Sequence, residues 1–197
     1  VEYFAINIDP PVRQGQTLYP FLIIQCDTDE EMELEVNISI IEDDEDSTSP
    51  GQHRGPHTVK GDTCKVLEKV FRKVFGKKII GPGSFECKTY SGDKCIGCSF
   101  RASNGLLFLL EKGLFFMHKP TIYIKYSDIL LIDLGSLKEA AKTANNLKTF
   151  AMDVQVKSGV TYSFSSMDRD EQDGLAKFLK SKGVEISLLG KRSRSAS

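Results

Sequence analysis

The sequence predicts a mainly β protein in two consecutive units, each running through strands and closing on one helix. Three observations carry this. Alternating apolar residues recur in short runs, at 3–8, 32–40 and 150–156, which is the period of a half-buried strand. The period changes to a helical one over 62–75 and again over 168–182. Between the first helix and the second run of strands, Gly81-Pro82-Gly83 punctuates the chain.

The first element is a strand with Phe4, Ile6 and Ile8 on one side. Asp9-Pro10-Pro11 is expected to stop it, because two prolines remove donors and hold the chain extended. Arg13-Gln14-Gly15-Gln16-Thr17 reads as a polar turn, 18–26 as a second strand, and 32–40 as a third through Leu34, Val36, Ile38 and Ile40. The run from Glu42 to Gln52 has too little apolar content for a core and reads as a loop. A helix follows, with Val66, Leu67, Val70, Phe71, Val74 and Phe75 as its apolar stripe. Asp62 or Thr63 caps its start and Gly76 its end.

In the second unit, Ile96, Cys98 and Phe100 share one face of a strand. Residues 106–110 and 114–117 flank the turn Glu111-Lys112-Gly113. Strands at 121–126 and 129–134 precede a polar connector, Leu137 to Asn146. Phe150, Met152, Val154 and Val156 then turn through Ser158-Gly159 into Val160, Tyr162 and Phe164, a hairpin. The last helix, 168–182, carries a capping-box pattern in Asp168 and Glu171. Leu175, Phe178 and Leu179 face inward, and Gly183 ends it. The expected boundaries are 1–80, 81–186 and a loose basic tail at 187–197.

Composition narrows the class. Apolar residues at 40% and charged residues at 27% are ordinary globular usage, so a packed core is expected. The net charge of −1 gives no overall field. No apolar run reaches the length of a membrane span. The opening Val-Glu-Tyr-Phe-Ala reads as strand and not as a signal peptide, so the chain is expected to begin inside a domain. Five cysteines, an odd number in a chain that is not small, fit a reducing compartment.

Strands closed by a C-terminal helix are the pleckstrin-homology layout. Specific stretches strengthen the reading: Asp9-Pro-Pro-Val-Arg-Gln-Gly-Gln-Thr17 into Tyr19-Pro-Phe-Leu22, Gly81-Pro-Gly-Ser-Phe85, Cys98-Ser-Phe-Arg-Ala102, Gly105-Leu-Leu107, Leu110-Glu-Lys-Gly113 and His118-Lys-Pro120. Together, in order from about residue 3 to 186, they resemble the structure-specific recognition protein family, the small subunits of the FACT histone chaperone. The resemblance implies tandem pleckstrin-homology-like domains, the first incomplete, each closed by a C-terminal helix. It implies a nuclear, chromatin-bound module that binds core histones, the tetramer in preference to the dimer, and reorganises nucleosomes in transcription, replication and repair. It also implies pairing with the large FACT subunit through parts outside this sequence. No membrane partner and no cofactor are expected.

Three surfaces are candidates. Arg13, Gln14, Gln16 and Thr17 project donors and acceptors from a turn stiffened by two prolines and freed by Gly15; in the family this segment looks histone-linked. The competing reading is a loop that satisfies neighbouring backbone. Glu42, Asp43, Asp44, Glu45 and Asp46 end a stretch from Asp27 to Asp46 with eleven acidic residues, a field that suits basic histones; its alternative is a solvated edge. Lys65, Lys69, Arg72 and Lys73 could meet the phosphates of nucleosomal DNA. Their spacing is read as spreading them around the helix, which favours an ordinary solvated face.

Catalysis has no foothold in this pattern. The three histidines accompany no nucleophile motif, and GxSxG, GxxxxGK[ST] and HExxH do not occur. Cys95-Ile-Gly-Cys98 sits in a strand, where positions three apart face opposite ways, and no second CxxC completes a zinc site. A phosphoinositide site would sit on the first hairpin of the second unit, about 84–101. There Lys88, Lys94 and Arg101 are interspersed with Glu86 and Asp93. A scaffold docking partners by strand addition is the remaining alternative.

Overall fold

The computed structural model describes residues 2–27, 29–36, 57–76, 79–89, 94–117, 119–135 and 148–187. Two compact units divide it, Val1–Ile79 and Ile80–Ser197.

In the first unit β1 (Glu2–Gln14) pairs antiparallel with β2 (Thr17–Cys26). The Asp9-Pro10-Pro11 run does not end β1. The strand continues past it through a register shift between Asn7 and Val12, where residues 8–11 face the single residue Pro20. All three prolines therefore lie where the ladder is already interrupted and no backbone donor is required. β3 (Glu31–Val36) pairs with β4 (His57–Asp62) in register from Glu31↔Asp62 to Val36↔His57. The later half of the third predicted strand, 37–40, lies outside the described residues.

Helix α1 (Thr63–Phe75) starts as its cap chemistry dictates. The Asp62 carboxylate accepts from the Lys65 amide at 3.1 Å, and Gly76 ends the helix at φ 57°. Thr63 ties this start to the turn before β3, donating from both amide and hydroxyl to Glu30 O at 3.0 and 2.8 Å. Val66 is buried, and Phe71 packs edge-on against Phe4 of β1 at 5.4 Å. The predicted stripe fails at its end, because Val74 and Phe75 are 51% and 46% exposed.

The second unit is one curled sheet of eight strands among the described residues. In chain order these are β5 (Cys95–Phe100), β6 (Ser103–Leu109), β7 (Gly113–Met117), β8 (Ile122–Lys125), β9 (Ile129–Asp133), β10 (Thr149–Val156), β11 (Thr161–Asp168) and β12 (Ile186–Ser187). Their spatial order is β12-β9-β10-β11-β5-β6-β7-β8. Alternation decides what is inside: Ile96, Cys98 and Phe100 from β5 and Phe150, Met152, Val154 and Val156 from β10 are all buried. Phe100, Phe116 and Phe164 meet at centroid distances of 5.4–5.9 Å. Each such pair adds about 0.5–1.5 kcal/mol beyond its area burial. Ser166, at φ 60°, is the extra residue of a bulge where Ser165 and Ser166 oppose Ala151.

The segment before β5 is not half of a hairpin. Residues 84–89 lie outside any strand, although Phe85 and Cys87 are buried, and the first hairpin is β5–β6. The last helix is also shorter than expected. A 3₁₀ turn, Arg169–Glu171, precedes α2 (Gln172–Ser181), which buries Leu175, Phe178 and Leu179 against the sheet. Asp168 caps as predicted, accepting from the Asp170 amide at 3.0 Å. Glu171 does not complete a capping box, and its side chain turns instead toward residues 87–89.

Candidate functional site

The β1–β2 hairpin ends in the two-residue turn Gly15-Gln16 between the paired residues Gln14 and Thr17. Gly15 has φ 60°, and glycine at the first central position suits the primed turns that match strand twist. The Arg13 Nε donates to Gly15 O at 3.0 Å, which holds the guanidinium against its own turn. Residues 11–19 are all exposed. Opposed residues of an antiparallel pair project from the same face. Val12, Gln14, Thr17 and Tyr19 therefore share one face, and Arg13 and Leu18 the other. The structure thus brings Arg13, Gln14, Gln16 and Thr17 together at one tip.

The same tip carries apolar surface that the sequence reading did not single out. Leu18 is 60% exposed and Val12 53%; further along β2, opposite Ile6, Leu22 is 50% exposed. The apolar run 18–26 reads as a strand without telling which of its apolar residues stay outside.

The acidic stretch is only partly visible. Glu42, Asp43, Asp44, Glu45 and Asp46 lie outside the described residues. Upstream, Glu31, Glu33 and Glu35 are exposed at alternate positions of β3, while Met32 and Leu34 are half-buried and Val36 is buried. Strand periodicity makes these three carboxylates one ladder. Across it on β4 stand Asp62, Lys60 and Thr58, with Lys60 reaching Glu33 at 3.7 Å.

On α1, Lys65, Lys69, Arg72 and Lys73 are all exposed. They are not scattered. At about 100° per residue they fall within an arc of about 100°, which faces away from the buried Thr63 and Cys64 and from Phe71, while the buried Val66 flanks its edge. Arg72 donates to Glu68 one turn back at 2.8 Å. Lys65, Lys69 and Lys73 have no ion-pair partner among the described residues.

In the second unit, Cys95 and Cys98 lie on opposite faces of β5, Cys95 half-buried and Cys98 buried. Burial pushes the Cys98 thiol up to about 12, so it stays protonated. No group of three or more His, Cys, Asp or Glu side chains fit for a metal occurs among the described residues. At the start of α2, a cleft of about 510 Å³ is lined by Lys88, Thr89, Arg169, Asp170, Gln172 and Asp173. Two cations face two anions there, so it presents no net field.

Comparison with known proteins follows the two units. Residues 2–79 match the family model described as the SSRP1 PH domain. Residues 94–187 match the model described as histone chaperone Rttp106-like, middle domain. The chain is 32% identical over 188 residues to the FACT complex subunit SSRP1 of Homo sapiens, covering 95% of this chain and 25% of that protein. It is 35% identical over 185 residues to the FACT complex subunit POB3 of Saccharomyces cerevisiae, covering 92% and 32%. To the FACT complex subunit Ssrp1 of Drosophila melanogaster it is 31% identical over 189 residues, covering 96% and 24%. The chain spans about a quarter to a third of the length of these relatives.

Proposed function

With an SSRP1-type PH domain followed by a Rttp106-like middle domain, the chain belongs to the family of the FACT subunits SSRP1 and POB3, and on that premise we propose that it is a non-catalytic histone-binding module of a nuclear histone chaperone. Its work is to hold core histones while nucleosomes are taken apart and rebuilt in transcription, replication and repair. The histone tetramer is the preferred load over the dimer. The large FACT subunit joins through parts of the protein outside this chain. The two units act as the closing part of one pleckstrin-homology-like domain and a complete second one.

One observation carries the reading: the β1–β2 tip, where Arg13, Gln14, Gln16 and Thr17 stand exposed beside Val12 and Leu18 on a turn set by Gly15. Polar groups on a stiff turn, next to apolar surface, lose little freedom on docking and exclude water around their hydrogen bonds. The carboxylate ladder of β3 and the acidic run at 42–46 supply a long-range field that speeds encounter with a basic partner.

The test is capture of purified core histones, tetramer and dimer separately, at about 0.15 M salt, where screening sets in beyond about 8 Å, and again at several-fold higher salt. Tetramer binding that survives the higher salt supports a specific surface. The Gln14→Lys/Gln16→Lys variant, altered only at exposed positions, is expected to lose at least tenfold in histone affinity with an unchanged Tm. Equal binding by that variant removes the tip from the interface.

A further inference from the structure

We propose that the cleft at the start of α2 is a docking site for a short dipolar peptide, an extended segment with one acidic and one basic side chain two residues apart. This is the polar cavity of about 510 Å³ in the second unit. It lies in a different unit from the β1–β2 tip, so the proposal does not rest on the histone reading and the two can fail separately. Its walls are held from within the fold. Asp168 caps the 3₁₀ turn and α2 follows directly, so Arg169, Asp170 and Asp173 are carried on one helix start. Lys88 and Thr89 are fastened there through their amides, which donate to the buried Glu171 at 2.8 and 2.6 Å. Gly174 leaves room for the Lys88 stem, since a Cβ there would stand 4.0 Å from Lys88 Cε. Gln172, 5% exposed, donates to Leu134 O at 2.7 Å. A site fixed in this way loses little freedom when it is filled.

The charges around the cleft are kept apart. Lys88, Arg169, Asp170 and Asp173 all line it, and among the described residues none of them is in an ion pair. Elsewhere in the same unit lysines do find carboxylates, Lys94 with Glu86 and Lys182 with Glu111, each at 2.7 Å. Arg169 has an acid four residues on in Asp173, yet it turns toward Thr149 O. At 3.5 Å that contact is longer than an ordinary N–H···O bond. The Arg169 Nε is buried with no acceptor among the described residues, so internal bonds do not account for the placement of this guanidinium. Charges of both signs that share a cleft without closing on one another leave donors and acceptors for a ligand that brings both signs.

Charge complementarity and size select the occupant. A purely acidic segment meets Asp170 and Asp173, a purely basic one meets Lys88 and Arg169, and like charges brought together oppose either. The guanidinium fork of Arg169 suits a carboxylate, while Asp170 and Asp173, three residues apart, suit one lysine or arginine head. The cube root of the cavity volume is about 8 Å, close to the rise of about 6.6 Å between side chains i and i+2 of an extended chain, which point the same way.

The experiment titrates the isotope-labelled full chain with the capped peptides Gly-Glu-Ala-Lys-Gly and Gly-Lys-Ala-Glu-Gly and follows the amide signals of Lys88, Thr89, Gln172 and Asp173. The peptides are taken to about 5 mM, past the weak end of ordinary recognition. One of the two orders is expected to shift these signals. It should bind about threefold or more tightly than Gly-Glu-Ala-Glu-Gly and Gly-Lys-Ala-Lys-Gly, the worth of one exposed ion pair. Asp173→Asn and Lys88→Gln alter exposed side chains and are expected to keep the native Tm. Each should weaken the dipolar peptide by about threefold or more and move the preference in opposite directions. Asp173→Asn should turn it toward Gly-Glu-Ala-Glu-Gly, and Lys88→Gln toward Gly-Lys-Ala-Lys-Gly. Lys157→Gln, on the exposed β10–β11 turn outside the cleft, is expected to change nothing. Silence of these signals with both orders overturns the proposal. So do equal binding of the dipolar and single-sign peptides, equal shifts from free glutamate and lysine, and an unaltered preference in the two variants. Tightest binding of the all-basic peptide also overturns it, and would make the cleft one more acidic contact for histones.

Discussion

Replacing Glu171 is expected to loosen the second unit more than any other single change to a charged side chain there. The residue is 1% exposed. Its Oε1 accepts from the Lys88 amide at 2.8 Å, the Thr89 amide at 2.6 Å, the Thr89 hydroxyl at 2.7 Å and the Cys87 thiol at 3.2 Å. These four donors fasten a segment that belongs to no strand onto the start of α2. A hydrogen bond to a charged group contributes about 1.5–3 kcal/mol when fully buried. Lys88 and Thr89 are themselves exposed, so water replaces part of the loss, and Glu171→Ala is expected to cost about 2–4 kcal/mol in all. For a unit of this size that is about 8–16 °C in Tm.

Burial by itself would push the Glu171 carboxyl up. The Thr89 hydroxyl and amide, the Lys88 amide and the Cys87 thiol outweigh it and hold the group below the usual carboxylate range. A depressed folded-state value contributes stability above the unfolded value of about 4.3, which is lost as pH falls through the folded one. Glu171→Gln is therefore expected to be intermediate at pH 7 and to converge on the native chain in acid. Calorimetry of the full chain reads the transition, and amide exchange at Lys88 and Thr89 reads the fastening locally. An alanine variant melting within about 2 °C of the native chain, about half a kcal/mol, would refute the reasoning.

Gly105→Ala is expected to cost about 3 kcal/mol in thermal unfolding. Its Cβ would collide with Met117 O and lie 2.6 Å from the Phe116 ring. Gly97→Ala, with open space around it, is expected to stay within about 0.5 kcal/mol. Cys98, held at about 12 by burial, and Cys64, held at about 11, are expected to resist iodoacetamide at pH 8 in the native chain and to react fully in denaturant, read by mass spectrometry.

Local pattern was enough for much of the fold. The alternation of β5 and β10 decided which residues enter the core, because a strand has only two faces and one of them is apolar. In β11 it placed Phe164 inside, but Val160 just before the strand is 48% exposed, and Met167 is buried only because the bulge at Ser165 and Ser166 shifts the phase. Asp62 and Gly76 bounded α1 because capping uses residues within one turn. The polar turn at 13–17 was legible for the same reason, since Gly15 permits the tight connection. What pattern could not supply was anything set by a partner far along the chain. The Asp-Pro-Pro run reads as a stop, and only the presence of Pro20 opposite it shows that the ladder tolerates the gap. The Asp168–Glu171 spacing is that of a capping box, yet four donors from Cys87, Lys88 and Thr89 lie within reach of Glu171 once the sheet closes. They win because a buried carboxylate must replace lost water with donors, and the capping position offers it fewer. The exposure of Val12, Leu18 and Leu22 was likewise a tertiary matter, since apolar residues leave water only where another element comes to cover them.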